Sequence, residues 1–286
     1  MTAVIPRSAP DYPTRLAATP DPPAALHVRG TMPAADRVVA IVGARAATRM
    51  ALARQIAAEL ADRGTLIVSG GAVGIDSAAH RGALDSGRPT AAVLAGGLDA
   101  PYPARNRPLF NEIVARGGAL LSREPPGTPP RGPLFVARNA VIAGMSDAVL
   151  VVEAQPGSGS LHTARAALRL GRLVAAVPGS AACEALIAQG AALVENAADL
   201  VAALSGSPRS PSARLPEPGS REARVLDVLD GHAPRTGAWI AQESGLALRE
   251  AARALAGLEL EGLALLLPGQ AYVRSPLAER LRQASD

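Results

Sequence analysis

The sequence predicts an α/β protein, with a doubly wound, Rossmann-like parallel sheet followed by a small C-terminal winged-helix domain. Three observations predict it. From Val38 onward, short apolar runs alternate with amphipathic segments. Each run is continuously apolar, as the strands of a parallel sheet covered on both faces must be. A Ser- and Pro-rich stretch, "SGSPRSPSARLPEPGS", then separates this pattern from a tail with helical periodicity.

Residues 1–35 carry many prolines and read as an extended N-terminal lead-in. The α/β domain is assigned to residues 36–204. "RVVAIVGAR" reads as its first strand and "MALARQIAAELADRG" as an amphipathic helix ending at Gly64. "TLIVSG" is the next strand, with a helix from about Asp76 to Leu84. "PTAAVLAGG" follows as a strand, then a polar loop and a helix near Pro108–Arg116. "GGALLSR" is a short strand, and the Pro-rich "EPPGTPPRGP" is a loop leading to a helix near Asn139–Gly144. "DAVLVVEA", "SLHTARAALRLG" and "RLVAAVPG" read as strand, helix and strand. Residues 205–219 read as a linker and 220–286 as the winged-helix-like domain. Its helices are "REARVLDVLDG", "TGAWIAQESG" and "LREAARALAGLELEG", and "LALLLPGQAYVR" is a hairpin about a Pro-Gly turn.

Aromatic residues make up only 2% of the chain, so the core is built from Ala, Val, Leu and Ile. All 29 basic side chains are arginine; there is no lysine. Residues 36–179 hold 16 Arg against 10 acids, and residues 180–286 hold 10 Arg against 13 acids. This asymmetry suits an anionic ligand on the α/β domain. Cys183 is the only cysteine, which excludes an internal disulfide and a multi-cysteine metal site. His27, His80, His162 and His232 lack ligand spacing, so no metal is expected. No apolar run reaches the roughly 18 residues of a membrane span, and the first ten residues lack the apolar core of a secretory signal. The expectation is a cytoplasmic protein with no membrane association.

The strands end in small or polar residues: "VGARAAT", "SGGAVGID", "AGGLDAPYPARN", "EAQPGSGSLHTA" and "VPGS". Such turns let a ligand approach the backbone, and the helix that follows offers free N–H groups to an anion. Doubly wound sheets bind ligands at this edge. A dinucleotide is disfavoured, because "GARAATRMA" lacks the G-x-G-x-x-G fingerprint. A nucleoside triphosphate is disfavoured too, because no G-x-x-x-x-G-K-[ST] occurs. Ser69, Ser122, Ser158, Ser160, His80 and His162 form no evident nucleophilic constellation. His80 reads as a packed or capping residue and Asp76 as a helix N-cap. Arg45, Arg105, Arg107 and Arg138 lie just past strand ends or at a helix start, where phosphate contact is the better reading.

The ordered motifs "IVGAR", "SGGAVGIDSAAHRGAL", "GGLDAPYPARNRPLF", "LFVARNAVIAGMSDAVLVVEAQPGSGSLHTARAALRLGRLVAAVPG" and "LEGLALLLPGQAYVR" resemble the DNA-processing protein A (DprA/Smf) family. The resemblance covers roughly residues 11–204 and, less closely, 220–275. It implies a non-catalytic, cofactor-free protein that binds single-stranded DNA, usually as a homodimer, and helps load RecA recombinase in natural transformation. Carried onto this sequence, the DNA site involves Arg45, Arg105, Arg107, Arg138 and Asn139. The turns at Gly43, Ser69, Gly70, Gly71, Gly74, Gly159 and Ser160 lie beside it. Two positions depart from the pattern: Val73 stands where a basic residue is common, and Ala140 replaces the second Arg of R-N-R. The rival class is a nucleotide hydrolase resembling the phosphoribohydrolases, but "PGSGSLHTARA" lacks the Glu of their P-G-G-x-G-T-x-x-E turn.

Overall fold

A computed structural model describes residues 2–205, 215–231, 233–260, 263–267 and 271–283. The chain divides into two units, Met1–Pro208 and Arg209–Asp286.

The strands of the first unit are β1 (Thr2–Pro6), β2 (Ala25–Gly30), β3 (Arg37–Gly43), β4 (Thr65–Ser69), β5 (Thr90–Val93), β6 (Ala119–Ser122), β7 (Ala148–Glu153), β8 (Leu173–Ala176) and β9 (Ala192–Leu193). They form one sheet in the order β1-β2-β6-β5-β4-β3-β7-β8-β9. From β6 across to β9 every pairing is parallel. Successive strands run outward from β3 in one direction and, after the crossover to β7, in the other. The β3/β7 boundary is therefore the topological switch point, beside which such sheets place their ligands.

The helices are α1 (Thr14–Ala17), α2 (Met50–Asp62), α3 (Ile75–Asp85), α4 (Arg107–Ala115), α5 (Gly132–Met145), α6 (Gly159–Arg169), α7 (Ala181–Ala188) and α8 (Ala197–Ser205). Alternate strand residues feed two faces. Val39, Ile41, Ile67 and Leu150 pack with α2, α3 and α8. Ala40, Val42, Val68, Val149 and Val151 pack with α1, α5, α6 and α7. A core nearly without aromatics closes because small residues let helices approach. A β-carbon on Gly82 of α3 would lie 2.1 Å from the Arg54 carbonyl oxygen of α2.

Two segments differ from the sequence reading. Residues 1–35 do not stand apart as a lead-in. β1 and β2 pair antiparallel with each other, and β2 joins β6. Leu16, Leu26 and Val28 are buried in the main core, and Arg15 Nε donates to Asp147 Oδ1 at 2.6 Å. The helix expected near Asn139 begins at Gly132, inside the Pro-rich stretch. Pro133 is tolerated there because the first-turn N–H it lacks has no partner within the helix.

The second unit holds α9 (Arg221–Val228), α10 (Gly237–Ser244), α11 (Leu248–Leu260), α12 (Pro276–Gln283) and strands β10 (Arg235–Thr236), β11 (Ala264–Leu267) and β12 (Ala271–Arg274). The strands form an antiparallel sheet in the order β10-β12-β11. Ser220 Oγ caps α9 by accepting from Ala223 N–H at 3.1 Å, and Gly245 ends α10 in the left-handed conformation. Val225, Leu226, Ile240, Leu255, Leu258 and Leu263 form a core of their own. This is the expected winged helix with an added C-terminal helix. Residues 206–214, most of the expected linker, and the hairpin turn at 268–270 lie outside the described residues.

Candidate nucleic-acid interface

A pocket enclosing about 100 Å³ opens at the carboxyl edge of the sheet, on the β4/β5 side of the switch point. The loop after β3 contributes Arg45, and the turn after β4 contributes Gly70, Ala72 and Val73. The segment after β5 brings Ala95, Tyr102, Pro103 and Arg105. Pro130 precedes α5, whose side chains Phe135 and Arg138 complete the wall.

Part of the glycine turn's backbone is engaged by the chain itself. Gly70 and Gly71 offer their carbonyls to Arg138 Nη1 and, at 2.8 Å, to Asn106 Nδ2. Ala72 N–H donates to Asp76 Oδ2 at 3.2 Å, and Ile75 N–H donates to the Ala44 carbonyl at 3.2 Å. The resident anion of the turn is thus the Asp76 carboxylate. Asp76 is not the N-cap of α3, because Gly74, at φ +83°, holds that position. The next glycine pair, Gly96 and Gly97, also serves the chain itself. A β-carbon on Gly96 would lie 2.8 Å from the Thr128 carbonyl oxygen, and Gly97 N–H donates to that oxygen at 2.9 Å. These two glycines seat the Pro-rich loop whose Pro130 lines the pocket.

Arg138 lies at the back of the pocket, only 7% exposed. Its guanidinium donates to the carbonyls of Gly70 and, at 2.9 Å, Val93, and its Nε donates to Asn139 Oδ1 at 3.1 Å. It therefore ties together the exits of β4 and β5. Burial lowers its pKa, opposed by Asp76. Burial raises the pKa of Asp76, opposed first by Arg138 and then by nearby N–H and hydroxyl donors. His80, behind them, is fully buried, with Nδ1 2.9 Å from the Thr90 hydroxyl. That hydroxyl donates to the Ile67 carbonyl at 2.6 Å. The assignment that follows is a neutral His80 donating from Nδ1. Burial, with a smaller contribution from Arg138, lowers its pKa to about 3.

The cations that face solvent are different ones. Arg45, Arg105, Arg107 and Arg131 are exposed, and none forms an ion pair with a carboxylate among the described residues. Arg116 and Arg123 are instead paired with Glu112 and Glu124. Arg107 opens α4 and does not line the pocket. Phe135 is the hub. The guanidiniums of Arg45 and Arg138 each lie 5.9 Å from its ring centre, and Tyr102, 49% exposed, meets it edge-on at 6.2 Å.

Of the other residues expected at the site, several turn inward. Ser69 is fully buried and donates to the Ile41 carbonyl at 2.6 Å. Gly43 faces Ile75 and the Glu153 carbonyl, and Gly71, at φ +68°, faces Phe110 and Leu94. Asn139 Nδ2 donates to the Gly159 carbonyl at 3.1 Å, and Ser160 Oγ lies 2.8 Å from Ser158 Oγ at the start of α6. None of these lines the pocket. Tyr102, Phe135 and Pro130 do, and the sequence reading did not place them there. The scarcity of aromatics in this chain was the available signal. Among the described residues, no group of three or more His, Cys, Asp or Glu could hold a metal ion.

Residues 3–205 match the family model described as DNA recombination-mediator protein A, and residues 208–270 match the DprA winged helix domain. A Mycobacterium tuberculosis protein named for DNA processing (DprA) is 44% identical over 244 residues. That match covers 80% of this chain and 62% of the relative, so the chain spans under two thirds of that protein's length. Protein Smf of Escherichia coli is 36% identical over 301 residues, covering 99% of this chain and 80% of the relative. The crystal structure of Streptococcus pneumoniae DprA superposes with a TM-score of 0.64 at 36% identity, covering 70% of this chain and 73% of that one. The Helicobacter pylori DprA structure, described for its single-stranded DNA binding mode, gives 0.63 at 29% identity, covering 71% and 95%. The chain belongs to the DNA recombination-mediator protein A family.

Proposed function

We propose that this chain binds single-stranded DNA across the carboxyl edge of its sheet, with Arg45, Arg105 and Arg107 on the phosphates and the Phe135–Tyr102 pair beside the bases. The observation that carries this reading is the set of exposed, unpaired guanidiniums around an accessible aromatic pair. Unpaired cations attract a phosphate backbone, and aromatic faces accept unstacked bases of any sequence. The similarity to the Helicobacter pylori protein supports the same reading. Arg138 and Asn139 support the pocket wall rather than reach the strand.

The protein acts without catalysis. Asp76 and His80, the titratable groups behind the pocket, are buried and engaged with the fold. A nucleotide hydrolase has no comparable support. In the cell the chain assists loading of a RecA-type recombinase during DNA uptake, as a cytoplasmic homodimer.

The test is a titration of fluorescent oligo-dT and the matching duplex at two salt concentrations. Single strands are bound more tightly, with a log–log salt slope of roughly −0.7 per phosphate contact. Equal affinity for duplex, or no salt dependence, overturns the reading. For the recombinase role, the chain shortens the lag of RecA filament formation on single strands, and an unchanged lag removes that part.

A further inference from the structure

Glu153 is the last residue of β7 and sits at the switch point, 8% exposed. It holds both ends of the loop that follows β3. Its backbone carbonyl accepts from Ala44 N–H at 2.7 Å. Its carboxylate Oε2 accepts from Thr48 N–H at 2.8 Å, Arg49 N–H at 3.0 Å and the Thr48 hydroxyl at 3.3 Å. Between these anchors, Arg45 and Ala46 form the exposed tip.

A carboxylate is well placed before α2, where N–H groups lack partners within the helix. A cap from the loop itself would satisfy those groups equally. It would fix the loop only to its own helix. An acceptor carried by β7 fixes the loop to the sheet, and so to the pocket walls built from β4 and β5. We propose that Glu153 is a positioning residue for Arg45. It holds the 44–49 loop so that the Arg45 guanidinium is already at the pocket mouth when a strand arrives, which removes an ordering cost from binding. This rests on the reading of Arg45 as a phosphate contact.

The experiment is oligo-dT binding by the full chain carrying Arg45→Ala, Arg105→Ala, Glu153→Ala, and the pairs Glu153→Ala with each arginine change. Glu153→Ala weakens binding by roughly three- to tenfold and takes about one contact off the salt slope, as Arg45→Ala does. Combined with Arg45→Ala it adds nothing further, whereas combined with Arg105→Ala the two factors multiply. Glu153→Gln, which keeps an acceptor oxygen within reach, restores most of the affinity. Where Glu153→Ala fails to fold, Glu153→Asp withdraws the acceptor while keeping the charge, and takes its place in the cycle. A loss that multiplies with that of Arg45→Ala, or no loss at all, overturns the positioning role alone. Wild-type binding by Arg45→Ala overturns the phosphate role of Arg45, and the positioning role with it.

Discussion

A β-carbon on Gly74 would lie 2.3 Å from the Ala44 carbonyl oxygen and 2.5 Å from that of Arg45. The start of α3 and the loop carrying Arg45 are therefore packed backbone against backbone. Gly74 also holds φ at +83°, which a side chain rarely adopts. Gly74→Ala will cost about 1–3 kcal/mol in backbone strain alone, and the collision adds to it. Thermal unfolding will show a lower Tm, and oligo-dT affinity will fall in the fraction that folds. An unchanged Tm would mean that the loop gives way freely.

Arg45 and Arg138 face the same phenyl ring but do different work. Arg45→Ala and Arg105→Ala will each weaken oligo-dT binding and flatten the salt slope by about one contact, with Tm little changed. Arg138→Ala removes the donors to the buried Gly70 and Val93 carbonyls, a loss of about 1–3 kcal/mol for each group left unsatisfied. Calorimetry will separate the two classes, and a Tm for Arg138→Ala within a degree of wild type is the contrary result.

Phe135→Leu keeps an apolar side chain but removes the flat face that a base could use. It will weaken binding by about 1–3 kcal/mol while leaving the salt slope unchanged, because no phosphate contact is lost. A flattened slope would show that Phe135 acts only by holding Arg45.

His80 titrates in the unfolded chain near 6.5 but in the folded chain at about 3. Between those values the unfolded state binds the extra proton, so stability rises with pH. The contribution is complete above pH 6.5 and is lost as pH falls toward 3, by at most about 1.4 kcal/mol per unit. His80→Gln retains a donor for Thr90 and does not titrate. Urea unfolding at pH 7.5, 6 and 5 will show the wild type losing stability faster than the variant. Parallel curves would contradict the assignment.

The two units have separate cores. The tail's best candidate for reading a DNA groove, α11, mixes Arg249 and Arg253 with Glu250 and Glu259. Residues 1–205 alone will fold and bind oligo-dT within a few-fold of the full chain. A loss of a hundredfold with circular dichroism intact would assign DNA contacts to the winged helix.

The parallel part of the sheet was legible because its strands are unbroken apolar runs, a pattern few other structures produce. β2 was not, although "LHVR" alternates apolar and polar residues as a half-buried strand should; the surrounding prolines obscure it. β9, two residues long, is below the reach of any periodicity. That Arg45 and Arg105 sit in segments following strands was legible, because position after a strand is a local property. The purpose of the glycines was not legible. A glycine that admits a ligand and one that admits a neighbouring carbonyl look alike in sequence, and Gly74 and Gly96 are of the second kind. Glu153 was invisible for a further reason, since its partners lie more than a hundred residues away.

The absence of lysine reaches beyond composition. A guanidinium stays protonated at any pH the fold survives and offers no side-chain amine. Lysine acetylation, an enzymatic route to erasing positive charge, has no side chain here to modify. On the proposed reading, the strength of this surface for a polyanion is set by salt and by the geometry of its loops, and is closed to that form of covalent control.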